Sequence, residues 1–217
     1  MMISDVKELP AVIPLLPVQG AVLFPRGQLP LPILSSKHFS AIAEVWHTHR
    51  IIGIVQPQVH DVEISSYPQF FSAGSAGKIM EMSEFDDGKL YITVKGICRF
   101  DIIEDLDPMA DVRRAKVDYS SYTADLAIEA DFSLDRSRLL KELNTYFKRL
   151  DIDANWDELQ KIPNEKLVTA LAMACPFTSG ERQALLQCSN ITEQSKLITS
   201  FIEMANREPN IFKVIFH

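Results

Sequence analysis

The most suggestive short motif in the chain is Gly74-Ser75-Ala76-Gly77-Lys78, two glycines and a lysine in the manner of a loop that wraps phosphate. Such a loop needs four residues between its glycines and a Ser or Thr after the lysine to hold magnesium. Here two residues intervene and Ile79 follows Lys78, so the glycines read as small residues where a strand begins tightly. Five histidines, His38, His47, His49, His60 and His217, are the next candidates. His47 and His49 on a helix point about 200° apart and cannot grip one ion from one face. No third ligand is placed beside His38 and His47. There is no Gly-x-Ser-x-Gly elbow, and Cys98, Cys175 and Cys188 carry no local signature of a nucleophile. Asp86-Asp87 and Glu104-Asp105-x-Asp107 read as a turn tip and a strand exit, since paired catalytic carboxylates need a cleft between them. Asn190-Ile191-Thr192 matches a glycosylation triplet but reads as a helix start. The expectation is no catalytic residue, no cofactor and no metal.

The elements that would position any site change period near residue 120. Val12 to Val18 is short, apolar and proline-studded, which predicts an edge strand, where a missing N–H does little harm. Leu29 to Leu34 repeats the style, and Pro25-Arg26-Gly27 supplies turn chemistry between them. Ser36 starts a helix to about Thr48, and Ile51 to Val55 is a buried-type strand. A polar, proline-marked loop over 56–73 contains Tyr67, Phe70 and Phe71. Ile79 to Phe85 and Leu90 to Ile103 flank the Asp87-Gly88 turn, the strongest hairpin signal in the chain. Val112 to Val117 adds a strand. Beyond Tyr122, Phe132, Leu139, Leu140, Leu143, Phe147 and Leu150 share one helix face. Asn164, then Thr178 with Glu181, then Thr192 start three more helices. The predicted class is α+β, with a β-rich subdomain over 1–120 and a helical one over 121–217.

Composition fits a folded chain: 217 residues, 47% hydrophobic and 24% charged. Twenty-two basic against 29 acidic side chains give −7, shared evenly, with 11 basic and 15 acidic residues in 1–120. Neither half offers the positive field that draws phosphate backbones, so nucleic acid is disfavoured as a partner. Three scattered cysteines suit a reducing compartment. The N-terminus has no signal-peptide pattern and no apolar run is long enough to span a bilayer, which predicts a cytoplasmic protein.

Four stretches, taken in order, resemble the N-terminal, substrate-binding domain of the Lon protease family. They are Ile13 to Gly27 with Leu29-Pro30-Leu31-Pro32-Ile33; Gly53-Ile54-Val55-Gln56-Pro57; Gly74 to Ile79, leading to Val94-Lys95-Gly96-Ile97-Cys98-Arg99-Phe100; and Leu171 to Phe177 with Glu181 to Leu186. The resemblance implies a PUA-like β-barrel followed by a helical bundle, in a free-standing bacterial Lon-domain protein without the ATPase and peptidase domains. Where that family commonly has Phe-Glu-Pro-Arg-Tyr after the second strand, this chain has Leu34-Ser35-Ser36-Lys37-His38 and lacks the acidic residue.

The expected function is therefore non-catalytic recognition of polypeptide, as an adaptor or holder of protein segments. It would use apolar contact together with backbone pairing at an edge strand. Phe24, Arg26, Tyr67, Phe70 and Phe71 are the expected contacts. The alternatives are an RNA-binding PUA-like module, or an enzyme with an unrecognised pocket. Gly77, Gly88 and Gly96 are expected to be structural. Arg99, in a run bearing Ile97, Phe100 and Ile102, is expected to be partly buried and paired with a carboxylate or carbonyls. Ile211-Phe212-Lys213-Val214-Ile215-Phe216 is apolar enough to predict docking at home, or oligomerisation by addition to a neighbouring copy.

Overall fold

The structure is a computed structural model that describes residues 4–33, 36–58, 69–84, 90–109, 112–127 and 132–207. Its six strands are β1 (Val12–Pro17), β2 (Gln28–Pro32), β3 (Ile51–Val55), β4 (Ala73–Glu84), β5 (Leu90–Met109) and β6 (Val112–Asp118). They lie in the order β2-β5-β4-β3-β1-β6, and β6 also pairs with β5. Five strands thus form a closed circuit of pairings, with β2 attached outside it. The 20-residue β5 makes this possible. Its near part, Tyr91 to Lys95, takes β2 as an antiparallel neighbour. Its far part, Asp101 to Met109, takes β6. Register shifts after Ile102 and Leu106 bend the strand on the way.

β1 corrects one expectation. It is an interior strand, pairing through Val12 to Pro14 with β6 and through Leu15 to Pro17 with β3. Its prolines are tolerated because the two paired stretches do not overlap, leaving each proline a flank without a ladder. Alternation then fills the core: Ile13, Leu15, Ile51, Val55, Ala76, Cys98, Phe100, Ala115 and Val117 form one buried cluster with Tyr119 and Tyr122. Phe100 is wholly buried and meets Tyr119 edge-on, ring centroids 6.2 Å apart. Burial of one such ring contributes about 2–3 kcal/mol.

The described residues also form six α-helices: α1 (Ser36–Trp46), α2 (Arg136–Arg149), α3 (Trp156–Lys161), α4 (Asn164–Ala174), α5 (Ser179–Leu186) and α6 (Ile191–Arg207). A 3-10 segment, Ser120–Leu126, follows β6. The molecule divides into two compact units: 1–128 with 175–187, and 129–174 with 188–217. That division differs from a single boundary at 120, because α5 groups with the strands. The Thr178 and Glu181 capping box is present at its start.

In the second unit Leu139, Leu143, Leu167, Val168, Ala172, Ile198 and Ile202 are buried. Asp135 caps α2 and Asn155 caps α3, a helix the sequence pattern did not suggest. Asn190, rather than Thr192, accepts the Glu193 N–H at the start of α6. Arg136 gathers Asn164 Oδ1 and the carbonyls of Leu159, Gln160 and Ile162, which pins the α3–α4 connection. The Asp87-Gly88 turn, Tyr67 and residues 208–217, with the apolar hexamer, lie outside the described residues.

Candidate functional site

β4 and β5 form a ribbon with two unlike ends. At one end, β5 crosses a gap between its two lateral partners, since β2 stops opposite Lys95 and β6 starts opposite Asp101. The exposed amides of that gap are covered piece by piece. Phe24-Pro25-Arg26-Gly27 is a β-turn, with Gly27 N–H donating to Phe24 O at 3.0 Å. Gly96 N–H donates to Gly27 O, and Arg26 N–H donates to Gly96 O, each at 2.9 Å. Asp125 covers the rest. Its carboxylate accepts the Arg99 backbone N–H at 2.9 Å, and the Arg99 guanidinium at 2.9 Å through Nε and 2.7 Å through Nη2. Nη1 donates to Leu186 O at 2.9 Å, and the guanidinium lies 4.7 Å from the Tyr122 ring centroid. Arg99 and Asp125 are each 7% exposed, so the expected partner of Arg99 is there and the charge pair is buried.

A second polar seam fixes α5. Gln56 Nε2 donates to Gln183 Oε1 at 3.0 Å and to Ser179 O at 3.3 Å. Gln183 Nε2 in turn donates to Ala73 O at 3.0 Å. Arg182 donates to the carbonyls of Phe177 and Cys175, closing the loop before the helix. Most of these groups are spent on one another, Gln56 Oε1 being buried without a hydrogen-bond partner among the described residues. Burial pushes the Cys98 thiol up to about 12, its Sγ donating to Tyr122 O, and burial holds Cys175 at about 12 too. Neither is a poised nucleophile.

The expected contact residues separate in this setting. Phe24 is a correction. It is 2% exposed and belongs to the core, because the turn that carries it folds onto β5. Arg26 is exposed but occupied, donating to Asp125 O at 2.6 Å and Ala127 O at 3.2 Å. It has φ 63°, the left-handed value that the third residue of this turn requires and that usually selects glycine. Phe70 is half-buried against the core cluster, with the Arg113 guanidinium 3.9 Å from its ring centroid. Phe71 is half-buried. Gly96 has a clear reason to be glycine: a Cβ there would lie 2.0 Å from Phe24 O. At Gly77 a Cβ would meet Val94 Cγ1 at 2.4 Å and Leu23 Cδ2 at 2.6 Å.

The other end of the ribbon has no strand cover among the described residues. β3 pairs with β4 only as far as Ile51 with Lys78, and Ile79 N–H still reaches Arg50 O at 2.8 Å. Beyond that point β4 has only β5 as a strand neighbour among the described residues. Met80, the extra residue at a register shift, is 49% exposed, and Met82 is 37% exposed. Backbone alternation decides what this edge offers. Ile33 N–H donates to Leu90 O, so Leu90, Ile92 and Val94 turn their amides toward β2. Tyr91 and Thr93 therefore face β4, opposite Ser83 and Glu81. Met82 and Glu84 aim N–H and C=O outward. The same rule on β2 turns Gln28, Pro30 and Pro32 outward, and two of those three have no N–H. Edge pairing at β2 is thus blunted. Among the described residues the outer side of β4 at Met82 and Glu84 has neither a proline nor a backbone partner. Its signal was legible only as two methionines spaced by two in Met80-Glu81-Met82-Ser83-Glu84.

The second unit has an open polar depression of about 350 Å³ lined by Ser133, Asp135, Arg138, Lys196, Thr199 and Ser200 among others. Its groups are committed elsewhere: Arg138 to Glu203, Asp135 to the α2 N-terminus, and the Thr199 and Ser200 hydroxyls to carbonyls of their own helix. Among the described residues no His, Cys, Asp and Glu cluster could hold a metal, and no helix is long and apolar enough to cross a membrane.

Comparison with known proteins gives one answer. Residues 12–204 match the family described as the ATP-dependent protease La (LON) substrate-binding domain. A Lon protease of Anaeromyxobacter dehalogenans is 23% identical over 211 residues, covering 96% of this chain and 24% of that protein. A Lon protease of Cytophaga hutchinsonii is 34% identical over 100 residues, 46% of this chain and 12% of its own length. This chain spans about a quarter or less of these relatives. A Lon N-terminal domain protein from Xanthomonas campestris shares the fold with TM-score 0.59 at 18% identity, covering 88% of this chain and 98% of that one. The N-terminal domain of a Mycobacterium avium complex Lon protease gives 0.61 at 18% identity over the same shares.

Proposed function

The chain belongs to the family of Lon substrate-binding domains, and from that premise we propose that it is a non-catalytic module that recognises polypeptide. The observation that carries this reading is the family match across residues 12–204, nearly the whole of the 217. The interior of the first unit supports it, because its buried Arg99–Asp125 charge pair is spent on itself and on backbone groups. We read the closed circuit of five strands as a PUA-like barrel that serves as a rigid support. Of the loop aromatics, Tyr67 and Phe71 stay in the proposed contact set, with Phe70 as their partly buried base. An adaptor or holder role, in a reducing cytoplasm, goes with this reading.

The test uses the whole chain and a reduced, alkylated model protein that cannot refold, followed by fluorescence anisotropy. Saturable binding at sub-millimolar concentration is expected, with little dependence on salt. Absence of binding, together with salt-sensitive capture of structured RNA, would replace the reading by the RNA-binding one. Turnover in a hydrolase panel would replace it by an enzyme.

A further inference from the structure

We propose that the outer edge of β4 at residues 80–84 is a strand-addition site, and that its occupant is an extended polypeptide segment in which apolar residues alternate with lysine or arginine. This rests on the polypeptide-recognition reading and says where, and with what chemistry, recognition happens. The edge presents two N–H and two C=O groups, those of Met82 and Glu84, and no backbone partner for them exists among the described residues. Unlike β2, it contains no proline. Main-chain pairing of this kind accepts many sequences, because the groups it reads are common to all of them.

The side chains set the preference. Met82 stands opposite Ile92, which stands opposite Leu31, and both of those are buried. An added strand would extend this apolar row and cover the exposed part of Met82, so it needs an apolar residue there. Glu81 and Glu84 are the only charged side chains among the described residues 79–84 and 90–94. Glu81 projects on the face opposite Met82, so the basic residues that flank the apolar one lie on the Glu81 face and meet its carboxylate, while Glu84 shares the face of Met82 at the end of the edge. Methionine is well suited to such a surface, being flexible enough to fit different neighbours.

The experiment titrates the full chain with an acetylated, amidated hexapeptide alternating lysine and valine, read by amide chemical shifts. The expected shifts centre on residues 80–84, and Met82→Pro weakens binding roughly tenfold or more. Because the residue 82 amide faces outward, proline leaves the ladder to β5 intact. Methylating alternate peptide amides should abolish the effect. Should Met82→Pro fail to fold, Glu81→Lys with Glu84→Lys serves instead, and is expected to favour a glutamate–valine hexapeptide. Shifts centred elsewhere, or affinities indifferent to these changes, overturn the site. So does a concentration-dependent dimer that Met82→Pro dissolves, since a second copy would then be the occupant. If the denatured protein binds unchanged to Met82→Pro, the site fails and polypeptide recognition stands. If neither the hexapeptide nor the denatured protein binds, both fail.

Discussion

The two ends of the β4–β5 ribbon share a ladder and differ in everything around it. Near Arg99 the strands are covered by α5, by the turn at Phe24 to Gly27 and by the Asp125 carboxylate. Near Met82 one side of β4 has no neighbour among the described residues. The difference teaches that strand pairing alone does not fix accessibility. At the first end every outward amide needs its own cover, and a buried charge pair supplies part of it. At the second end the same groups have no backbone partner among the described residues.

Breaking the comparison at the covered end should have the largest effect. Asp125→Ala leaves the Arg99 guanidinium buried without its carboxylate, and about 3–5 kcal/mol of unfolding free energy is expected to go, measured in urea. A loss below about 1 kcal/mol would show that the pair is not what holds this end. Gly96→Ala forces a Cβ onto Phe24 O, which is backbone and cannot swing aside. About 1–3 kcal/mol of destabilisation is expected, and an unchanged melting temperature would mean that the turn relaxes freely. Gln183→Leu takes the side-chain donor from the Ala73 carbonyl and leaves Gln56 Nε2 only the longer bond to Ser179 O, for a loss of about 1–2 kcal/mol.

The boundary between the two ends is sensitive to acid. Ile51 N–H donates to His49 Nδ1 at 3.0 Å, just where β3 starts beside β4. Burial holds His49 below its usual 6.5, opposed by Glu44. A depressed histidine stabilises fully above the unfolded value and loses that contribution as pH falls through 6.5 toward the folded value. Stability of the native chain should therefore fall on that limb more steeply than that of His49→Asn. Parallel pH curves would show that the His49 proton is not involved. The smallest effect belongs to the end at Met82. Met80→Thr with Met82→Thr should change stability by less than about 0.5 kcal/mol, because both side chains lie at the exposed surface rather than in the core. A larger loss would mean that the exposed methionines pack against something.

Much of this was legible from residue types. The capping box at Thr178 and Glu181, the helix from Ser36, the two long strands and the burial of Arg99 all follow from local spacing and chemistry. What escaped was whatever depends on which strand lies beside which. Val12 to Pro17 looked like an edge because prolines usually mark one, yet it sits inside with its pairings staggered. Phe24 looked like a contact because it sits in a turn, and only the approach of that turn to Gly96 reveals it as core. Asp125 carried no signal at all, since nothing local distinguishes it from a solvated carboxylate. The open edge at Met82 depends on where β3 stops, a fact of tertiary register.

The membership of α5 in the first unit also sets a timetable. Residues 129–174 are synthesised after the last strand and before the helix that supplies Leu186 O to Arg99 and Gln183 to Ala73. While the ribosome makes that stretch, the nascent first unit lacks one wall and its arginine lacks one of its acceptors. The sheet can form early but reaches its final stability only once residue 187 has cleared the exit tunnel. A chain that ends anywhere in the intervening segment would therefore lack α5, leaving its seat open to whatever apolar chain is nearby.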